Sequence, residues 1–172
     1  MKFSELTELF AAYTGAEDQA DNARLALWFN EAQLDLAYDL GPVSVREIAA
    51  GPGFRLHPEA DWLCVAGCEL DYIREADGSL LFPAGGRGRL FFRRLPQAFS
   101  GTDGDQESEL PRAVHYLLAV FAAARYWDLE SEGDGEESAH AGKWLGYYYQ
   151  GRNLARSRLP GVYNDLRGWR VV

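Results

Sequence analysis

The stretch that most constrains the fold runs from Leu110 to Trp127 and reads LPRAVHYLLAVFAAARYW, which is apolar on nearly every side of a helix. A helix of this kind has to be buried, either within its own chain or inside an assembly. Pro111 suits the first turn, where the missing amide hydrogen has no helical partner to lose. We expect Phe121, in the middle of this helix, to lie in the core.

A second helical stretch follows after an acidic turn. The turn, Asp128–Glu137, reads DLESEGDGEE, and the next helix is predicted from about Ser138 to Arg158. Together the two stretches predict an antiparallel αα-hairpin. The three consecutive tyrosines Tyr147–Tyr149 span about 200° of the second helix, so some of them must face outward.

The first forty residues predict two more helices, and the middle of the chain has the pattern of strands. Apolar residues follow helical spacing from Phe3 to Tyr13, and a second helix, capped by Asp21, ends at Gly41-Pro42. Alternating apolar residues and an Asp77-Gly78 turn predict antiparallel strands between Val43 and Leu95. The predicted fold class is α+β, mainly α: a helical core with a long αα-hairpin and a small antiparallel β insert.

The chain length of 172 residues suits one domain. We place a single helical domain at residues 1–158, with the β insert at about 43–95, and we treat residues 159–172 as an extended C-terminal arm. The longest unbroken apolar run, Tyr116 to Ala124, is far shorter than the about 20 residues that cross a membrane. The sequence starts directly with an amphipathic helix instead of a signal peptide, so we expect no membrane partner.

Charge is distributed unevenly along the chain, which has a net charge of −9. Residues 1–40 carry eight acids and two bases, residues 101–137 carry ten acids and two bases, and residues 143–172 carry six bases and one acid. The net negative charge argues against general affinity for nucleic acid. The segregation of charge predicts a complementary surface on another copy or another protein, and the alternative is a solvated terminus.

Two segments are candidate binding sites. The C-terminal arm, beyond the helix break at Pro160-Gly161, is too short to fold alone and contains the Tyr, Trp and Arg side chains that dominate interfaces. The alternative is that the arm folds back onto its own core. Its predicted contacts with a partner or a neighbouring subunit are made by Arg156, Arg158, Leu159, Val162, Tyr163, Leu166, Arg167, Trp169 and Arg170.

The other candidate is the polar segment Gln97–Glu109. It combines high charge with several glycines and serines, and it has few apolar residues that could offset the entropy of ordering. We predict that this segment orders only in an assembly. The acids that define it are Asp103, Asp105, Glu107 and Glu109.

Residue types that often carry chemistry are present without a matching motif. Cys64 and Cys68, with His57 nearby, have the wrong number and spacing of ligands for a structural zinc site, and buried thiols are the simpler interpretation. The acidic turn begins like a calcium loop, but its twelfth position is Ala139 instead of glutamate. His115 and His140 are scattered, and no turn presents a nucleophile. We therefore predict no catalytic residue, no metal and no cofactor.

The order of these segments resembles the head-to-tail adaptor (connector, or head-completion) proteins of tailed bacteriophages. The resemblance rests on LALWFNEAQLDLAYDL near the start, on Leu90–Pro96 at the end of the strands, on ELPRAVHYLLAVFAAARYW with the acidic turn, and on AGKWLGYYYQGRNLARSRL after it. It covers nearly the whole chain, and its motifs are patterns of helices and turns, with no catalytic signature. The cysteine pair and the apolar segment around Trp62 depart from the family pattern.

The resemblance implies a structural virion protein that is not an enzyme. Such adaptors form a homo-oligomeric ring, commonly a dodecamer, beneath the portal protein. The ring extends the viral DNA channel and connects it to a neck or tail-terminator protein. Genomic DNA would pass without specific binding, which an acidic channel favours. The implied location is the neck of the virion, after assembly in the host cytoplasm.

Two alternatives remain open at the level of the sequence. One is a tail-completion or minor tail protein, which belongs to the same structural class but docks elsewhere. The other is a cytosolic enzyme or small-ligand-binding domain, whose pocket would be lined by His57, His115 or carboxylates.

Overall fold

A computed structural model of the chain describes residues 1–16, 21–130 and 135–158. The described helices are α1 (Phe3–Thr14), α2 (Asn22–Leu40), α3 (Tyr116–Glu130) and α4 (Gly135–Arg158), with a short 3₁₀ turn at Arg112–Val114. The described strands are β1 (Val43–Ala50), β2 (Phe54–Leu56), β3 (Trp62–Cys68), β4 (Ile73–Arg74), β5 (Leu80–Phe82) and β6 (Gly86–Arg94). The chain divides into two compact units: a helical unit, Met1–Gly41 with Pro96–Leu159, and a β unit that contains Pro42–Leu95.

The predicted fold class, mainly α with a small antiparallel β insert, is wrong. The described part of the chain is 48% helix and 23% strand, which makes it a mixed α and β fold. Its strands form two three-stranded antiparallel sheets with a hydrophobic core of their own. The helical unit is also more than a long αα-hairpin, because α1 and α2 both pack against α3. The short strand β2, and the Gly- and Arg-rich start of β6, left little apolar pattern in the sequence.

Helix ends follow the local sequence. The side chain of Asp21 accepts a hydrogen bond from the Arg24 amide at 2.7 Å, which confirms the predicted cap of α2. That helix ends at Gly41, as predicted. Gly15 ends α1 in the left-handed conformation, with φ of 72°, and its amide donates to the Ala11 carbonyl.

The core of the helical unit takes side chains from all of its helices. Leu117 and Leu118 of α3 are fully buried, and Tyr148 is the large side chain that α4 buries. An aromatic cluster joins α1 to α2 and to the segment after the strands: the ring of Phe3 lies 5.6 Å from that of Phe29 and 5.5 Å from that of Phe99. Aromatic pairs at such separations add to the stability that burial provides.

The β unit consists of sheets with strand orders β1–β6–β3 and β2–β5–β4. β1 pairs with β6 from Val43 opposite Arg93 to Ala50 opposite Gly86. The predicted Asp-Gly turn joins β4 to β5, where Gly78 has φ of 83°, so this hairpin is confirmed.

Alternating side chains from the two sheets enclose the core of the β unit. It comprises Ile48, Ala50, Leu56, Cys68, Leu80, Phe82, Leu90 and Phe92. The ring of Trp62 stacks on Phe92 with centroids 4.0 Å apart. Cys68 and the half-buried Cys64 are thiols that are not joined in a disulfide, and burial raises the pKa of the Cys68 thiol, which keeps it protonated. The predicted single domain of residues 1–158 stays a prediction, and the arm, 159–172, lies outside the described residues.

His115 holds the turn that precedes α3. It is 2% exposed, and its Nε2 donates a hydrogen bond to the Leu110 carbonyl at 2.6 Å, because a carbonyl can only accept. Burial lowers the pKa of this imidazole, and the nearby charge of Arg112 lowers it further, while the bond to Leu110 acts in the opposite direction. The neutral imidazole is therefore a structural group.

We expect the free energy of unfolding to fall as the pH falls below about 6.5, the ordinary pKa of histidine. In the unfolded chain His115 takes up a proton near that pH, whereas the buried imidazole takes one up only at a lower pH, so acid favours unfolding. Thermal unfolding across this pH range should show a steeper decrease for the wild-type chain than for His115→Gln, which has no titrating ring. Equal slopes would assign the acid sensitivity to other groups.

Candidate functional site

A groove runs between α3 and α4 in the helical unit. Its volume is about 370 Å³, and it is lined by Phe121, Ala124, Arg125 and Asp128 of α3 and by Ser138, Ala141, Gly142, Leu145 and Tyr149 of α4. Spacings of three and four residues put each set on one face of its helix. Leu145 and Tyr149 are exposed, so the groove presents apolar and aromatic groups to solvent. Its size suits the insertion of a few side chains.

The outer face of α2 is a second apolar surface. Leu27, Leu34 and Tyr38 are 58%, 44% and 53% exposed, on the side of the helix opposite its buried residues. With Glu31 they follow spacings of four, three and four residues, which is the pattern of a helix that packs along another helix. Exposed apolar side chains that repeat in this way mark an interaction surface rather than scattered surface residues.

These two surfaces meet at an ion pair. Glu31, in the middle of the α2 face, binds Arg125 of the groove at 3.1 Å. The Arg125 guanidinium also lies 5.1 Å from the centre of the Phe121 ring, in a cation–π arrangement. The groove and the outer face of α2 are therefore two apolar surfaces that are linked by a polar contact.

A network of polar contacts joins α4 to α2 beyond the groove. Tyr148 donates a hydrogen bond to Asp35 at 2.6 Å, and Arg152 binds the same carboxylate at 3.1 Å and that of Asp39 at 3.6 Å. Burial, with the hydrogen bond to Asp35, raises the pKa of the Tyr148 hydroxyl, so it stays a neutral donor. Arg156 pairs with Asp39 at 3.1 Å.

The predicted partner-binding set is only partly described. Arg156 belongs to the network with Asp39, so it serves a contact within the chain. Arg158 is exposed at the end of α4. The other predicted contacts lie outside the described residues, and they are Leu159, Val162, Tyr163, Leu166, Arg167, Trp169 and Arg170.

The segment Gln97–Glu109 is held by contacts within one chain. The amides of Phe3 and Ser4 donate to the carbonyls of Gln106 and Gly104, at 2.8 and 3.1 Å. Phe99 is buried among the aromatic rings of the helical unit and anchors the segment there. The polar composition of the segment gave no indication of this anchor.

The four acids of this segment also have partners. Asp105 pairs with Lys2 at 2.7 Å, and that hydrogen bond and charge lower the pKa of Asp105. Glu109 accepts from the Gln97 amide, Asp103 accepts from the Asp105 amide, and the backbone of Glu107 forms an antiparallel β-bridge with that of Lys2. The prediction that the segment orders only in an assembly stays a prediction.

Groups considered for catalysis or metal binding are not gathered into a site. His140 contacts the ring of Trp127, twelve residues along α3 from His115, so the two histidines are about 18 Å apart along the helix. Within residues 1–16, 21–130 and 135–158, no three His, Cys, Asp or Glu side chains are placed to hold a metal ion. Of the side chains that line the groove, only Arg125 and Asp128 are charged.

The sequence did not predict the groove or the apolar outer face of α2. Phe121 was expected in the core, but it is only half-buried and lines the groove, while Leu117 and Leu118 fill the core instead. The spacing of Leu27, Leu34 and Tyr38 was visible in the sequence, and it would have indicated that α2 has a second apolar face. The expectation that some of Tyr147–Tyr149 face outward is confirmed, since Tyr148 alone is buried.

The sequence matches no protein-family model and no curated protein. None of the described helices is both long and apolar enough to span a bilayer.

Proposed function

We propose that this chain is a structural virion protein of a tailed bacteriophage, a head-to-tail adaptor. In this proposal, copies of the chain form a ring beneath the portal, extend the DNA channel and connect it to the neck or tail. The proposal starts from the resemblance of the sequence to that family, and the order of helices, strands and helices along the chain is compatible with it.

The observation that carries the proposal is the pair of exposed apolar surfaces on the helical unit. Three large side chains on the outer face of α2 and two on α4 are exposed beside a groove. A surface of this kind is covered when subunits associate, and head-to-tail association of identical subunits closes into a ring.

Charge supports the same proposal. Residues 1–41 carry eight acids and two bases, residues 96–158 carry ten acids and six bases, and residues 42–95 carry seven of each. An acidic helical unit that faced the channel would repel the phosphates of DNA, which lets DNA pass instead of binding it.

Co-expression with the portal and neck proteins encoded beside the gene tests the proposal. We expect the full-length chain to co-purify with the portal and to appear as a ring in electron micrographs of the complex. Leu34→Glu, on the outer face of α2, should reduce ring formation about tenfold or more, because it places a charge in a buried contact.

Leu129→Glu is the matched control, since Leu129 is an exposed leucine of α3 that lies on neither surface. It should assemble like the wild-type chain. Binding to a tail protein without binding to the portal would reject the adaptor in favour of a tail-completion or minor tail protein, and binding to neither would reject both.

A further inference from the structure

The sheet β1–β6–β3 of the β unit has β1 at one of its edges. The Arg94 amide donates to the Pro42 carbonyl at 3.1 Å, which fixes the phase of the hydrogen bonds between β6 and β1. In an antiparallel pair the backbone groups of alternate residues point to the neighbouring strand, and those of the residues between them point away from it. The outward-pointing residues of β1 are Val43, Val45, Glu47 and Ala49.

These outward-pointing backbone groups form the open edge of β1. Within the part of the chain that the structure describes, their N–H and C=O groups take part in no hydrogen bond. Val45 is 54% exposed, and Glu47 and Ala49 are exposed as well. A row of unpaired N–H and C=O groups along a strand is a template for one more strand, so the ligand that fits this edge is an extended chain.

The other edges of the two sheets are less suited to pairing. β3, on the far side of β6, has irregular register between Trp62 and Cys64 and again between Val65 and Gly67. Such bulges interrupt the row of backbone groups that an added strand needs. The edge strands of the second sheet, β2 and β4, have three and two residues. β1 has eight residues in regular register with β6 and contains no proline.

The two charged side chains of β1 are held by groups inside its own sheet. The Arg46 guanidinium pairs with Glu59 and lies 5.9 Å from the centre of the Trp62 ring, which belongs to β3. It is therefore directed across the sheet, away from the open edge. Glu47 lies opposite Arg89 of β6 and is attracted by its charge. Charged side chains that point outward often protect an edge, and β1 lacks this protection.

The open edge is complementary to a second copy of itself. An antiparallel pair with a two-fold axis at Arg46 sets Val45 opposite Glu47 of the other copy, and Val43 opposite Ala49. Every outward N–H then meets an outward C=O, which gives about eight hydrogen bonds. A shift of two residues in either direction loses about two of these bonds, and one of the two shifts sets Glu47 opposite Glu47, a repulsive pair.

We infer that β1 pairs antiparallel with β1 of a second copy of this chain, which joins two three-stranded sheets into one continuous sheet. The contact is isologous, so it joins copies in pairs and closes on itself. It goes beyond the proposed ring and does not depend on it. Main-chain hydrogen bonds hold the contact, as in other cases of strand addition.

Hydrogen exchange of individual amides in the full-length chain tests this contact, with sedimentation as the measure of association. The amides of Arg46 and Ile48, which bond to β6, should be protected at every protein concentration. Those of Val45 and Glu47 should exchange rapidly in the monomer and become protected about tenfold or more as the dimer forms. A chain that stays monomeric, or a dimer whose outward amides stay unprotected, would overturn the inference.

A proline at the open edge provides a second test. Val45→Pro removes one outward donor from each copy and leaves the hydrogen bonds to β6 in place, so it should weaken self-association about tenfold or more. Val45→Thr is the matched control, because it keeps the N–H and suits a strand, and it should associate normally. Circular dichroism and the protection of the Ile48 amide check the fold. Equal association of the two variants would overturn the inference.

Disulfide cross-linking tests the register. A mixture of Val45→Cys and Glu47→Cys chains should form a dimer linked between the two substituted positions, because directly opposite residues lie within disulfide reach. Neither variant alone should form it efficiently, and mass spectrometry of the linked peptides excludes products of Cys64. Efficient linkage of either variant to itself would overturn the register.

A different protein is the remaining occupant of this edge. A chain that is monomeric alone, and whose Val45 and Glu47 amides become protected only when the portal or a neck protein is added, would overturn pairing with a second copy. The outcome is separable from that of the proposed function. A β1-paired dimer that binds no portal would keep this contact and reject the adaptor, and portal binding by a chain that does not pair would do the reverse.

Discussion

Tyr148→Ala is expected to destabilise the helical unit by about 3–5 kcal/mol, as the truncation of a large aromatic core residue does. Tyr148 is 1% exposed, its ring lies 5.1 Å from that of Phe121, and its hydroxyl donates to Asp35. The substitution leaves a cavity where α4 meets the other helices and removes a polar contact with α2. Urea unfolding followed by circular dichroism measures the loss.

Two further variants separate packing from hydrogen bonding at this position. Tyr148→Phe keeps the ring and removes the hydroxyl, so it should cost about 0.5–1.5 kcal/mol, because Asp35 is partly exposed and water can replace the donor. Tyr147→Ala changes an exposed neighbour and should lie within about 0.5 kcal/mol of the wild-type chain. If Tyr148→Ala unfolded at the wild-type urea concentration, the position of α4 on the helical core would be wrong.

Phe82→Ala is expected to destabilise the β unit by a similar amount, about 3–5 kcal/mol. Phe82 is fully buried between the two sheets, and its ring lies 6.2 Å from that of Phe54 and 6.4 Å from that of Tyr72. Hydrogen exchange measures the protection of backbone amides in each of the two units separately. The amides of β1 and β6 should lose protection, while those of α3 keep theirs.

Ile73→Ala is the control for the β unit. Ile73 lies in the same sheet as Phe82, but its side chain faces solvent, so its loss should leave exchange almost unchanged. Equal effects of the two variants would contradict the separate core of the β unit. A loss of protection in α3 as well would show that the two units unfold together.

Features set by neighbouring residues were predictable from the sequence. Asp21 and Gly41 bound α2, and Gly78 forms the turn between β4 and β5, because a cap or a turn depends on side-chain chemistry and backbone freedom within a few residues. The apolar character of Leu110–Trp127 likewise identified the helix that the other helices cover.

The fold class was not predictable in the same way. The strand β2 is three residues long, and it exists because β5, a partner distant in the sequence, supplies its hydrogen bonds. A pattern that short cannot be distinguished from a loop before its partner is known. The sequence therefore indicated a β insert but understated it, and the second sheet emerged only from the pairing.

Contacts between residues far apart along the chain also decided the candidate site. Arg156 was expected to bind a partner, but its position on α4 brings it to Asp39. In the polar segment after the strands, Phe99 is anchored between rings from α1 and α2, a contact that the composition of the segment did not reveal.

The sequence by itself determined both ends of α2, which helix is buried, and how charge is divided along the chain. The tertiary structure alone decided which side chains of each helix remain exposed. Tyr148 and Asp35 are 113 residues apart in the chain, yet their contact turns Tyr148 inward and its two neighbours outward. The spacing of apolar residues in a helix indicates that several of its faces are apolar. The packing of the other helices then determines which of those faces stays exposed and can contact a partner.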